Sequence, residues 1–371
     1  MPLQGLRSYT IAPAHRGRQA ALRTAAVAAM LVTLLAPGVL RAARTPEVLR
    51  SVAALPPHLA GLFSEATGFH KLQSGSYLVF DRRGHTVYGV DAALTTATKI
   101  VQVGQESGRI IQPVAFAVSS DGRFVVADAP VGRERVQRFG VEGTRLGGFV
   151  LPGRMEARLQ YGGMVLNGVA SIEYEGESIL LNQPERGAII TEYTLEGTPH
   201  RNIGLLRATG HEGEPDLHRI LNTGIPLVNP QGGYYFVFQT GEPRFRKYDA
   251  RGTLMFERVI QGSELDPWLA SQPTTWPTRG GAREMPMVPP TVRTAAVDRA
   301  GGLWISFTVP FTYVYDPDGE KTRVVQFHGA GIIAPTSLSF ARDGQLLVTP
   351  GCYVFDPAVT LRGPAPGSRL P

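Results

Sequence analysis

The chain has 371 residues, 43% hydrophobic and 18% charged, with 43 glycines and 29 prolines; that is apolar material for a large core and turn residues for many short strands. Its net charge of +6 comes from the N-terminus: five arginines (Arg7, Arg16, Arg18, Arg23, Arg41) and no acid fall within residues 1–43, leaving 32 basic residues against 31 acidic ones. A nearly neutral body lacks the field that holds a phosphate backbone, so no nucleic-acid partner is expected, and the lone Cys352 rules out an internal disulfide or a cysteine metal site.

Residues 1–43 open with a basic segment (15–23, "HRGRQAALR"), continue with an apolar run (25–36, "AAVAAMLVTLLA") and close on Ala42 and Ala43. This is the order of parts in a secretory signal peptide, cleaved after Ala42 or Ala43. The apolar run is short for a membrane span of about 20 residues, so no stable span is expected after its removal. The expected location is extracytoplasmic, periplasmic or secreted.

Residues 47–57 ("EVLRSVAALPP") then read as a strand standing ahead of a repeat. Each repeat runs apolar strand, glycine turn, β-rich strand ending in a polar residue, loop and further strands. The clearest copy is 114–153, with "VAFAVS", "DG", "FVVAD", "RVQRFGV" and "LGGFVLPG". The first ("YLVFD", "HTVYGVD", "KIVQVG"), third ("SILLN", "IITEYTL") and fourth ("YYFVFQ", "FRKYDA", "MFERVI") follow more loosely. The fifth reads "RTAAVD", "GG", "LWISFT", "FTYVYDP", "KTRVVQF", and the sixth "TSLSFA", "DG", "QLLVT", "CYVFDP". A spacing near 40 residues fits one four-stranded blade per repeat. The sixth copy lacks a fourth strand, which 47–57 supplies, joining the two ends of the ring. Residues 263–290, with Trp268 and Trp276 among prolines, are an insertion that reads as a packed excursion between blades or, functionally, as a lid or partner arm over one channel mouth, and 359–371 are a flexible tail.

The stretch 113–153 resembles an NHL repeat, and the region 44–358 resembles six-bladed β-propellers of the NHL and TolB-like kind. The expected fold is therefore all-β: a six-bladed β-propeller closed by an N-terminal strand, after an N-terminal signal peptide. In such propellers the leading end of each innermost strand opens on one mouth of the channel. Residues at or near that position are Glu65, Gln112, Asn167, Asn222, Arg293 and Thr336, a candidate ligand-binding ring with Trp268 and Trp276 as lid residues. A second ring, at the ends of the second strands, holds Asp81, Asp128, Asn182, Gln239, Thr308 and Thr349; short polar side chains there bond their own turns, a structural role.

A more distant resemblance, to gluconolactonase and regucalcin-type propellers, implies a divalent cation such as calcium held by Glu65, Asn167 and Asn222. The aspartate that completes such a set has Arg293 in its place, a cation that repels a divalent ion. The loop 210–218 ("GHEGEPDLH") gathers His211, Glu212, Glu214, Asp216 and His218 without the spacing of a helical zinc site, and reads as a solvated loop. No phosphate loop or nucleophile elbow is present. Two functions remain: a ligand-binding or protein-interaction module whose partner is a small anion, carbohydrate or peptide, and a metal-assisted hydrolase or lactonase. Arg293 favours the first, unless it pairs with Glu284 and only anchors the insertion.

Overall fold

A computed structural model describes residues 46–358 other than 131–132, 152–157, 162–163, 168–170, 273–274, 277 and 280–284. The chain divides into Met1–Ala43 and Arg44–Pro371, and the described residues belong to the second unit. The leader 1–43, the tail 359–371 and Glu284 lie outside them.

The fold is all-β and propeller-like. Four antiparallel sheets of four strands, I to IV, follow one another along the chain, their strands hydrogen-bonded in sequence order. Their first, innermost strands are Ala66–Lys71, Ala115–Val118, Ile172–Tyr174 and Gly224–Val228. A nine-stranded sheet follows. One half holds Val292–Val297, Leu303–Phe307, Thr312–Tyr315 and Lys321–His328, with the two-residue strand Ile332–Ile333 beside the last; the other holds Ser337–Phe340, Leu346–Thr349 and Tyr353–Phe355.

Between the halves lies Glu47–Ala54. It pairs antiparallel with Tyr353–Phe355, Ser51 opposite Phe355 and Ala54 opposite Tyr353, as the incomplete last repeat led one to expect. It also pairs in parallel with Lys321–His328, from Glu47 opposite Val325 to Arg50 opposite His328, which the repeat pattern did not suggest.

Burial explains the strand compositions. The second strand of each sheet is sandwiched between neighbouring sheets, so Phe124–Asp128 and Leu303–Phe307 are buried at every position and read as continuous apolar runs. Outer strands such as Arg145–Val150 keep one side in water and read as mixed. Apolar clusters fill the space between consecutive sheets: Phe80, Phe124 and Phe139 between I and II, Ile189, Phe236 and Tyr248 between III and IV. The last cluster joins Leu347 and Val354 to Phe69 and Val79, packing the final sheet against sheet I and closing the ring. At about 25 cal/mol per Å² of apolar area, these interfaces are the main stabilising term.

The repeated Asp-Gly turn has a backbone reason. In 119–123, Ser119 N–H donates to Arg123 O at 2.8 Å while Gly122 N–H bonds Ser119 O at 2.9 Å with φ of 88°, a left-handed value that costs glycine nothing. Asp121 locks the turn by accepting from Ser119 Oγ at 2.5 Å and Arg123 N at 3.1 Å.

Candidate functional site

The innermost strands surround a cavity of about 1230 Å³. Each such strand touches the next around the ring, and Ser337–Phe340 touches Ala66–Lys71, so every sheet contributes side chains to one space.

At one end stand Glu65, Arg82, Arg293 and Thr336. The Glu65 carboxylate accepts from Arg82 at Nη2 (2.7 Å) and Nε (3.2 Å), a two-point ion pair that occupies both its oxygens. Thr336 shares its hydroxyl with Thr349 Oγ1 at 2.8 Å. Arg293 is different: its one hydrogen bond among the described residues runs from Nη1 to Ala334 O at 3.4 Å. A half-buried guanidinium with five donors and one long bond has capacity left for a ligand. The insertion reaches the same end, where Trp268, Gln272, Met287 and Pro290 line the cavity. Trp268 sits on the helix Asp266–Ala270.

The structure does not bring the whole expected ring together. Gln112 is exposed, with φ of 50°, and lies outside the cavity lining. Asn167 ends a two-stranded hairpin, opposite Arg158, five residues ahead of the innermost strand it was expected to lead; its side chain lies outside the described residues. Asn222 is fully buried away from the cavity at the C-terminal end of the helix Pro215–Leu221. Its Oδ1 accepts from Arg207 N at 2.8 Å and its Nδ2 donates to His218 O at 3.0 Å, so the amide is spent on the backbone. A buried polar group must be bonded, and the loop ahead of sheet IV supplies those bonds. Asn222 therefore does not join Glu65 at the cavity. Trp276 lines a second cavity, of about 760 Å³, and meets His211 edge to face at 5.5 Å.

In the ring at the second-strand ends, Gln239 and Thr308 line the cavity, while Asp81, Asp128 and Asn182 have structural roles. Asp81 accepts from the backbone N–H of Ser64, Glu65 and Gly84. Asp128, fully buried, accepts from Ile111 N and from Arg135 Nε and Nη2, while Asn182 bonds Ile189 O and Gly224 N. These side chains clamp the segments leading into the innermost strands. The segment 210–218 is not wholly a solvated loop, since its last four residues begin the helix Pro215–Leu221 with Leu217 buried, and its polar groups are locally bonded: His211 Nδ1 meets Glu214 Oε1 at 2.9 Å and His218 Nδ1 meets Thr209 Oγ1 at 2.7 Å. Among the described residues no group of three or more His, Cys, Asp or Glu is disposed to hold a metal.

Deeper in the cavity are residues that the sequence pattern did not single out. Glu173 projects from the middle of Ile172–Tyr174 and His70 from Ala66–Lys71. Neither makes a hydrogen bond or ion pair through its side chain among the described residues; His70 has only an edge contact with Phe116, 5.6 Å between centroids. Burial, and the neighbouring Glu175, push the Glu173 carboxyl up to about 8, and burial lowers His70 to about 4. Burial without an ionic partner among the described residues favours the uncharged form of both. The missed signal is the alternation in "SIEYEGE", where Glu173 and Glu175 share a face opposite Tyr174.

Neither a family model nor a curated protein sequence matches the chain. Among solved structures it is similar to a chain of hydrazine synthase from Kuenenia stuttgartiensis, at 14% identity over 80% of this chain and 97% of that one, with a TM-score of 0.45. It is also similar to virginiamycin B lyase from Staphylococcus aureus, at 12% identity over 77% and 78% of the two chains, TM-score 0.44. A catalytically inactive form of that lyase with quinupristin gives 11% identity, 77% of each chain and 0.47. No residue's role here follows from these likenesses.

Proposed function

We propose that this chain is an exported six-bladed propeller of the NHL or TolB-like kind that binds a small anionic ligand at the channel mouth formed by Arg293, Thr336 and the Trp268-bearing insertion. The count of six rests on sheets I to IV plus the two halves of the nine-stranded sheet, the last made four-stranded by Glu47–Ala54. Export rests on the composition of residues 1–43. Full-length protein found uncleaved in the cytosol would refute that part.

The observation that carries the binding function is the Arg293 guanidinium, lining the cavity with one hydrogen bond, of 3.4 Å, among the described residues. The alternative, a metal-assisted lactonase, loses Asn222 to the buried backbone and finds Glu65 already paired with Arg82. Calorimetric titration of the mature protein with a panel of carboxylates, lactones and sugar acids tests the assignment. Binding of acids that disappears in Arg293→Ala is expected; indifference of every acid to that substitution contradicts it.

A further inference from the structure

Among the described residues the acids and bases that line the cavity are Glu65, Arg82, Arg293, His70, Glu173 and Glu175, with Tyr174 beside the last two. Glu65 and Arg82 neutralise each other, and Arg293 stands at the mouth. What remains is a set with no cation beside it among the described lining residues. Among the described residues Glu173 has no ion pair and His70 has no hydrogen bond through its ring, and Glu175, just past the end of the strand Ile172–Tyr174, lines the cavity from a more exposed position. On the same strand as His70, Thr67 Oγ1, also in the cavity wall, is buried without a partner among the described residues. The aromatic surface next to His70 is continuous, since Phe116 stacks on Phe80 at 4.9 Å.

Carboxylate oxygens, a neutral imidazole nitrogen and a hydroxyl oxygen are all acceptors, and an ammonium group presents three donors and one positive charge. An ammonium also relieves the repulsion between the two carboxyls and gains from the aromatic faces. A hydroxyl ligand would satisfy hydrogen bonds but leave the carboxyls without a counter-charge.

We propose that Glu173, Glu175 and His70 form an amine-binding pole inside the channel. Together with Arg293 the pole makes the channel bipolar, suited to a zwitterion that carries an ammonium at one end and a carboxylate at the other, as amino acids and short peptides do; this last step rests on the anion-binding mouth proposed above. The proton balance is fixed. Glu173 is protonated in the empty channel at neutral pH, so binding R–NH3+ ionises it and sends one proton to solvent.

The test is calorimetry with three probes of equal length: hexylamine, hexanoate and 6-aminohexanoate, each at pH 7 in buffers of different ionisation enthalpy. Hexylamine is expected to bind with release of about one proton, hexanoate to bind without release, and 6-aminohexanoate to bind more tightly than either by about tenfold or more. Glu173→Gln keeps the shape of the side chain and should weaken hexylamine by about tenfold or more, abolish its proton release and leave hexanoate unchanged. His70→Leu, which leaves both carboxyls in place, should weaken hexylamine alone. Hexanoate binding without hexylamine binding overturns the pole and leaves the mouth standing. Hexylamine binding without hexanoate binding sinks the mouth and supports the pole. Hexylamine binding that survives Glu173→Gln with its proton release intact overturns the pole, and failure of all three probes overturns both.

Discussion

Arg323 Nη2 lies 2.8 Å from Glu47 Oε2, and its Nε donates to the same oxygen at 2.9 Å, an ion pair between residues 276 positions apart. It fastens Glu47–Ala54 to the strand Lys321–His328 while the far end of the same strand pairs with Tyr353–Phe355. Leu49 between them is 1% exposed and packs with Val325, Phe327 and Phe355. Leu49→Ala should cost about 2–5 kcal/mol, the usual range for a cavity of this kind. Deleting residues 47–54 should leave two unpaired strand edges and cause aggregation or loss of cooperative unfolding. Thermal melts check both; an unchanged transition in the deletion variant contradicts closure by this strand.

Arg293→Ala should weaken binding of a carboxylate ligand by about 1.5–3 kcal/mol, the value of charge-assisted hydrogen bonds. Arg293→Lys should restore only part, because an ammonium cannot reproduce the two-pronged geometry. With one long hydrogen bond to lose among the described residues, the alanine variant should melt close to wild type. A large fall in melting temperature with no change in affinity would mark Arg293 as an anchor for the neighbouring segment.

Stability should depend on pH through Glu173 and His70 with opposite signs. Glu173 titrates near 8 in the folded chain against an ordinary 4.5, so between those values the native state holds a proton that the unfolded chain has released, and stability falls as pH rises. His70 titrates near 4 against 6.5, so between 4 and 6.5 the unfolded chain binds the extra proton and stability rises with pH. The two offset each other from 4.5 to 6.5, and Glu173 acts alone from 6.5 to 8. Glu173→Gln should therefore flatten the decline in melting temperature between pH 6.5 and 8; an identical slope in the variant would mean that Glu173 is ionised when folded.

Asp128→Ala should destabilise the fold by about 3–5 kcal/mol, because it strands the half of a buried ion pair left on Arg135 and frees the Ile111 N–H. Chemical denaturation measures this. Ligand affinity per folded molecule should not change, since Asp128 lies outside the cavity lining.

The strands and turns were legible in the sequence because local chemistry sets them. Gly122 and Asp121 specify their turn, and an all-buried strand such as Phe124–Asp128 announces itself by composition. Asp81 and Asp128 were legible as structural for the same reason, their partners being backbone groups near a turn. Asn222 was not. Two residues ahead of a strand it resembles a mouth residue, and only the helix Pro215–Leu221 packed behind it shows that its amide points inward. Glu173 was missed because a channel wall and a solvent-facing strand share one polar–apolar alternation; what separates them is the ring of other strands around the site, a tertiary property.

The position of Glu47–Ala54 also sets an order of events in folding. Its partners at 321–328 and 353–355 emerge late in synthesis, so a strand made early must wait with its hydrogen-bonding groups open while most of the ring forms. Contacts of such sequence separation slow folding and lengthen the exposure of sticky edges. A chain cut short of Tyr353 would never relieve that wait. Such fragments should be substrates for chaperones and proteases even when the sheets already made are sound.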